Sequence, residues 1–237
     1  MSLPTISVPT YSMSIPSDGK NVNFRPFLVK EEKVLHMAME AGDTDSKINS
    51  VVESVASCLE GYDKDTVRAM PVFDIEYCFL QIRSKSIGEM VKPSMVCSEC
   101  KNKFEVPVDL SEIEIVKKED HDTNIPLSDG VGVVMKYPSL EDVGPNLQRS
   151  DDESQLAMNI LVDCIDSVYD DKTVYSRKDF TDEELRGFVD ELTKENFDKL
   201  SNFFETMPKL EKTVEYKCPA CGHKDSIDIE GIENFFG

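Results

Sequence analysis

The chain has 237 residues, enough for one large domain or two small ones. Hydrophobic residues make up 40%, so a packed core is within reach and global disorder is not expected. Forty-six acidic against 26 basic residues leave a formal charge of −20. That balance counts against a nucleic-acid reader, because basic surfaces supply most of the affinity for phosphate.

Residues 1–9 form an extended lead without the charged start and apolar core of a secretory signal. Such an arm either adds a strand to a neighbouring sheet or frays as an ordinary terminus. Thr10–Pro16 and Asn21–Phe27 alternate like strands, with Ser17-Asp18-Gly19-Lys20 as the turn of a hairpin. Helical spacing follows over Lys30–Ala41, Ser46–Leu59 and Val72–Ser84. The inward faces are Val34, Leu35, Ala38 and Met39, then Ile48, Val51, Val52, Val55 and Leu59, then Ile75, Phe79, Leu80 and Ile82. Gly42 ends the first helix, and Thr44 or Asp45 caps the second.

Beyond Gly88 the sequence turns strand-like. Ile113–Val116, Thr123–Leu127 and Val131–Met135 are strand candidates, with Asp129-Gly130 as a turn signal. Ser139 caps a turn at Leu140–Asp142, and residues 144–153 read as a polar loop. A helix is predicted over Gln155–Val168, a short strand at Lys172–Tyr175, and helices from Thr181 and over Lys194–Glu205. Thr181 and Glu184 form a capping box. Phe235-Phe236 makes an apolar tip at the end.

Two stretches carry the most specific chemistry. Cys97-Ser98-Glu99-Cys100 and Cys218-Pro219-Ala220-Cys221 are C-x-x-C turns, each between strand-like flanks. The flanks are Phe104–Val108 after the first pair, and Thr213–Tyr216 before and Asp225–Ile229 after the second. Two such turns supply four thiolates to one tetrahedral zinc. More than a hundred residues separate the halves, where an ordinary zinc ribbon leaves roughly 15–20. The other reading is two separate redox or disulfide pairs. A redox C-x-x-C normally opens a helix, so the strand flanks favour one structural zinc held by Cys97, Cys100, Cys218 and Cys221. Four thiolates leave no open coordination position for catalysis. His223 is a substitute ligand at most. Cys58, Cys78 and Cys164 lie in apolar helical patterns and read as buried thiols. Seven cysteines, an odd number, fit synthesis in a reducing compartment.

The expected fold is α+β. A zinc-ribbon-like sheet is built from two distant knuckles, with an N-terminal hairpin plus helical layer and an inserted helical segment over about 140–210. The expected division is residues 1–88, hairpin arm and three helices, and residues 89–237, the ribbon with its insertion. No phosphate-binding glycine loop or nucleophile elbow occurs, and the three histidines show no catalytic spacing. The acidic runs Lys118–Asp122 and Ser150–Glu153 are either solvated loops or weak cation sites. No run approaches the roughly 20 apolar residues of a membrane span.

Phe24-Arg-Pro-Phe-Leu-Val-Lys-Glu-Glu-Lys33, Phe73–Glu89, Met135-Lys-Tyr-Pro-Ser139 and the opening Leu3–Tyr11 resemble a baseplate hub protein family of T4-like contractile-tailed phages. The resemblance implies a non-enzymatic role in virion assembly. It implies other baseplate hub proteins as partners, with self-association also open. It places the chain in the host cytoplasm during assembly and in the tail baseplate if it stays in the particle. A zinc-ribbon regulator of transcription or of a host process is the rival reading, and a hydrolase with a hidden site is a third.

Overall fold

The computed structural model describes residues 6–128, 130–149 and 152–230. Expectations for the first residues of the lead, for Asp129 and residues 150–151, and for the Phe235-Phe236 tip concern residues outside those described. The chain is mixed α and β, with small sheets, and forms two compact units. Residues 1–116 and 209–237 make the first, and residues 117–208 the second.

The first unit opens with the expected hairpin. β1 (Tyr11–Ser14) and β2 (Asn21–Phe24) pair antiparallel from Tyr11 opposite Phe24 to Ser14 opposite Asn21. Gly19 takes a φ of 70°, as the tight turn requires. α1 (Val29–Ala41) ends on Gly42 in the left-handed region, its N–H returning to the Ala38 carbonyl. Its buried residues are Glu31, Leu35 and Ala38, while Val34 and Met39 face solvent. A charged clasp that periodicity does not reveal holds Glu31 inward. Glu31 accepts from Arg25 Nη2 at 2.9 Å and from the Leu28 N–H at 2.8 Å. Arg25 also donates to the Ser57 carbonyl at 2.8 Å and the Pro26 carbonyl at 3.0 Å. One guanidinium thereby ties the end of β2 to the start of α1 and the end of α2 (Thr44–Cys58).

Asp43, one residue before the expected cap, accepts from the Ser46 N–H and starts α2. A short helix unread in the sequence, α3 (Lys64–Ala69), is capped by Asp63 and buries Val67. α4 (Val72–Ile87) is the central helix, with Phe73, Ile75, Cys78, Phe79, Leu80 and Ile82 buried. Burying one such large side chain stabilises by roughly 1.5–3 kcal/mol.

After α4 come short strands. β3 (Met90–Val91) pairs with β6 (Val108–Asp109), and β4 (Ser94–Val96) pairs with β5 (Lys103–Glu105). β7 (Glu114–Val116) and the returning β12 (Lys209–Lys217) and β13 (Lys224–Glu230) form one sheet in the order β13-β12-β7. Leu80 of α4 shares a core with Val91, Met95, Val106, Val108, Leu110, Ile113, Leu210 and Val214. Residues on both sides of position 88 therefore belong to one unit.

In the second unit β8 (Asn124–Ser128), β9 (Val131–Met135), β10 (Ile165–Tyr169) and β11 (Val174–Ser176) form a sheet in the order β11-β10-β9-β8. The segment between the two parts of the first unit thus carries its own sheet as well as helices, and it starts earlier than residue 140. α5 (Leu140–Arg149) replaces most of the expected loop. Ser139 and Asp142 cap each other's backbone, with Ser139 Oγ donating to Asp142 Oδ2 at 2.7 Å, and the helix runs on across Gly144-Pro145. α6 (Glu153–Asp163) stops short of the predicted helix end at Val168. Its last expected turn is β10, which pairs with β9 from Ile165 opposite Met135 to Tyr169 opposite Gly132. Pairing with an open strand edge wins over helical spacing there. α7 (Asp182–Asp190), with its Thr181–Glu184 capping box, and α8 (Lys194–Thr206) complete the unit. Leu185, Val189, Leu200 and Phe203 from these helices pack with Val133, Met135, Leu161 and Ile165.

Asp74, near the start of α4, is fully buried and accepts from the Ser17 N–H at 3.1 Å and from the Ser17 hydroxyl. Burial pushes its carboxyl up to about 6, against those two donations, and the Asp18 charge adds to the rise. A raised carboxyl pKa favours the folded state while protonated, so this contribution is present at low pH and is lost between about pH 4 and pH 6. Asp74→Asn should remove that slope: in urea titrations across this range, the variant gains stability relative to the parent as pH rises.

Candidate metal centre

The two C-x-x-C turns meet. β4, residues 97–100 and β5 make one hairpin, and β12, residues 218–221 and β13 make the other. The hairpins share one backbone pattern. In the first, the Cys97 N–H donates to Asn102 O at 3.0 Å and the Lys101 N–H to Cys97 O at 3.1 Å. In the second, the Cys218 N–H donates to His223 O at 2.8 Å and the Gly222 N–H to Cys218 O at 2.9 Å. The residue after the second cysteine is left-handed in both, with φ 58° at Lys101 and 75° at Gly222. Lys101 tolerates this conformation with its ammonium donating to the Ser98 carbonyl at 2.7 Å.

The sulfurs of Cys97, Cys100, Cys218 and Cys221 all lie within 4.8 Å of one another. Cys97 Sγ is 3.8 Å from Cys221 Sγ, and Cys100 Sγ is 3.6 Å from Cys218 Sγ. A tetrahedral ion with sulfur at about 2.3 Å sets neighbouring sulfurs about 3.8 Å apart, so these separations fit one four-thiolate centre. All four cysteines are free rather than disulfide-bonded. The first cysteine of each turn is buried and the second exposed, so the cluster has a core side and a solvent side.

Cys218 and Cys221 are displaced in opposite senses. Cys218 is pushed down to about 6 by the Cys221 and Ala220 N–H groups and by the Cys100 and Cys221 thiols, against burial. Cys221 moves up to about 12: the His223 N–H favours its thiolate, but burial and the sulfurs of Cys100, Cys218 and Cys97 outweigh it. Four thiols gathered this closely are a donor set that a soft cation can use.

Contacts around the sulfurs join the hairpins further. Ser98 Oγ donates to Asp225 Oδ2 at 2.9 Å, and the Tyr216 hydroxyl reaches the same oxygen at 3.3 Å. Phe104 and Tyr216 pack with ring centroids 5.4 Å apart. Nothing in the spacing of Ser98 and Asp225 announces this link; only the meeting of the hairpins creates it. His223, weighed as a substitute ligand, has Nε2 3.7 Å from Asp225 Oδ2 and is not among the clustered donors. Among the described residues, the acidic run before Asp122 forms no comparable cluster of donors. Cys58, Cys78 and Cys164 are buried, and burial raises all three thiols, Cys58 to about 11 and Cys164 to about 12. They are neutral core thiols. His36 is exposed on α1 beside Glu40, whereas His121 is buried in the second unit.

A family model described as T4 bacteriophage base plate protein matches residues 8–237. The chain belongs to that family. No curated protein and no solved structure matches it. Membership gives this baseplate protein a structural role in the phage tail, among other baseplate proteins, in a family that is generally non-enzymatic. No helix among the described residues of the baseplate protein is long and apolar enough to cross a membrane.

A Cβ at Gly222 meets only Lys217 Cε at 4.0 Å, so the cost of a side chain there is conformational rather than steric. Gly222→Ala should destabilise by about 1–2 kcal/mol in denaturant titrations.

Proposed function

We propose that this protein is a non-enzymatic component or assembly factor of the central hub of the baseplate, acting through protein contacts, with one structural zinc held by Cys97, Cys100, Cys218 and Cys221. The observation that carries the zinc reading is the convergence of the four sulfurs from two hairpins distant in sequence. In this reading the first unit is a zinc-ribbon-like fold whose ribbon is interrupted by residues 117–208. The zinc supplies charge neutralisation and a crosslink, not a reaction, because four thiolates fill its coordination shell. The strongly acidic balance of the chain suits basic protein partners and suits nucleic acid poorly.

Metal binding and folding share one free energy when the site does not pre-exist in the unfolded chain. The purified protein should carry one zinc per chain, and Cys218→Ser should lose both zinc and several degrees of melting temperature. Unchanged metal content and melting temperature in Cys218→Ser would sink the shared site. The hub assignment is checked separately, by quantitative mass spectrometry of purified tails beside the soluble assembly pool. A fixed stoichiometry in tails marks a subunit. Presence only in the soluble pool, bound to hub precursors, marks an assembly factor. Absence from both removes the hub reading.

A further inference from the structure

The second unit begins at Lys117 and ends at Pro208. His121 lies just inside its entrance and Thr206 just before its exit. The His121 side chain is buried, at 7% exposure. Nδ1 is 2.9 Å from Thr206 Oγ1, and Nε2 is 3.1 Å from the Tyr137 hydroxyl. The Thr206 hydroxyl donates to the Asn202 carbonyl at 2.8 Å, which leaves its oxygen as an acceptor. Nδ1 therefore carries the proton, and Nε2 is the bare nitrogen that accepts from Tyr137. The ring stacks on Tyr137, centroids 5.6 Å apart, and leans on Phe203 at 5.1 Å. One imidazole thus joins the entering segment, the segment after β9 and the last turn of α8.

We propose that His121 is a proton-released latch: neutral, it clamps the entering and leaving segments of the second unit together, and protonated, it lets them part. Protonation turns Nε2 into a donor, so the Tyr137 hydroxyl can no longer donate to it and has to turn its hydrogen elsewhere. It also places a positive charge on a buried imidazole, taken out of water. On its own segment, Lys117 opposes that charge while Asp122 and Asp120 favour it. Tyr137 is the titratable group facing it after β9, and Thr206 and Phe203 of α8 are uncharged. Burial is the largest influence and holds the imidazole below its ordinary range. A lowered histidine pKa means that the folded state disfavours the proton. The latch is fully closed above about pH 6.5 and weakens as pH falls below that value.

The test is hydrogen exchange on the intact protein, read over residues 117–123 and 203–209 at about pH 7.5 and about pH 5.5. After correction for intrinsic rates, exchange in both segments should rise on acidification, by up to about tenfold per pH unit below about 6.5. His121→Phe, which keeps a ring but cannot titrate or hydrogen-bond, should exchange fast at both pH values. Nitrogen chemical shifts of His121 should report the Nδ1–H tautomer at the higher pH. Exchange indifferent to pH in the parent protein, or an Nε2–H tautomer, overturns the latch, and both readouts stand even if His121→Phe does not fold. Asp74 also titrates in this window, but it lies in the first unit and its effect on stability has the opposite sign.

Discussion

The first unit depends on the meeting of two short hairpins whose cysteine turns lie far apart in the chain. Their sulfurs are held 3.6 to 3.8 Å apart in cross-hairpin pairs. Bringing distant segments together costs conformational entropy, but that cost grows slowly with separation, by roughly 0.6 kcal/mol per doubling of loop length. A whole unit between the turns is therefore tolerable. The Ser98–Asp225 hydrogen bond, the Phe104–Tyr216 contact and the shared core around Leu80, Leu210 and Val214 offset the cost locally.

The cluster is asymmetric by design of the turns. Each first cysteine points to the core and each second to solvent. Each turn closes with the same pair of backbone hydrogen bonds and a left-handed residue. The thiols are preorganised by backbone that does not depend on their charge. The opposed shifts of Cys218 and Cys221 follow from the hydrogen bonds their sulfurs make with the turn backbone and with each other, together with burial.

Elsewhere, buried polar groups join segments rather than fill space. Arg25 and Glu31 lock hairpin to helices, and Asp74 receives Ser17. His121 does the same in the second unit, between Thr206 and Tyr137. Each such group costs desolvation and is held only because its partners are in place. Two of them, Asp74 and His121, have pKa values displaced in opposite senses on the proton scale, one carboxyl upward and one imidazole downward. Both displacements come mainly from burial, which penalises whichever form is charged.

Local patterns were enough to mark the hairpin at Tyr11–Phe24, the helices around Leu35, Val55 and Phe79, the capping box at Thr181, and the two C-x-x-C turns. Each of these follows from spacing or turn chemistry within a few residues, which the chain carries wherever it folds. What only the tertiary structure decided is of another kind. Ile165–Tyr169 became a strand because β9 offered an edge, overriding a helical period. Glu31 turned inward because Arg25 stood opposite, while Val34 and Met39 lie on the solvent side. His121 acquired its partners from residues 137 and 206, and Ser98 its partner from residue 225. Such pairings are set by long-range contacts whose energy no local window contains.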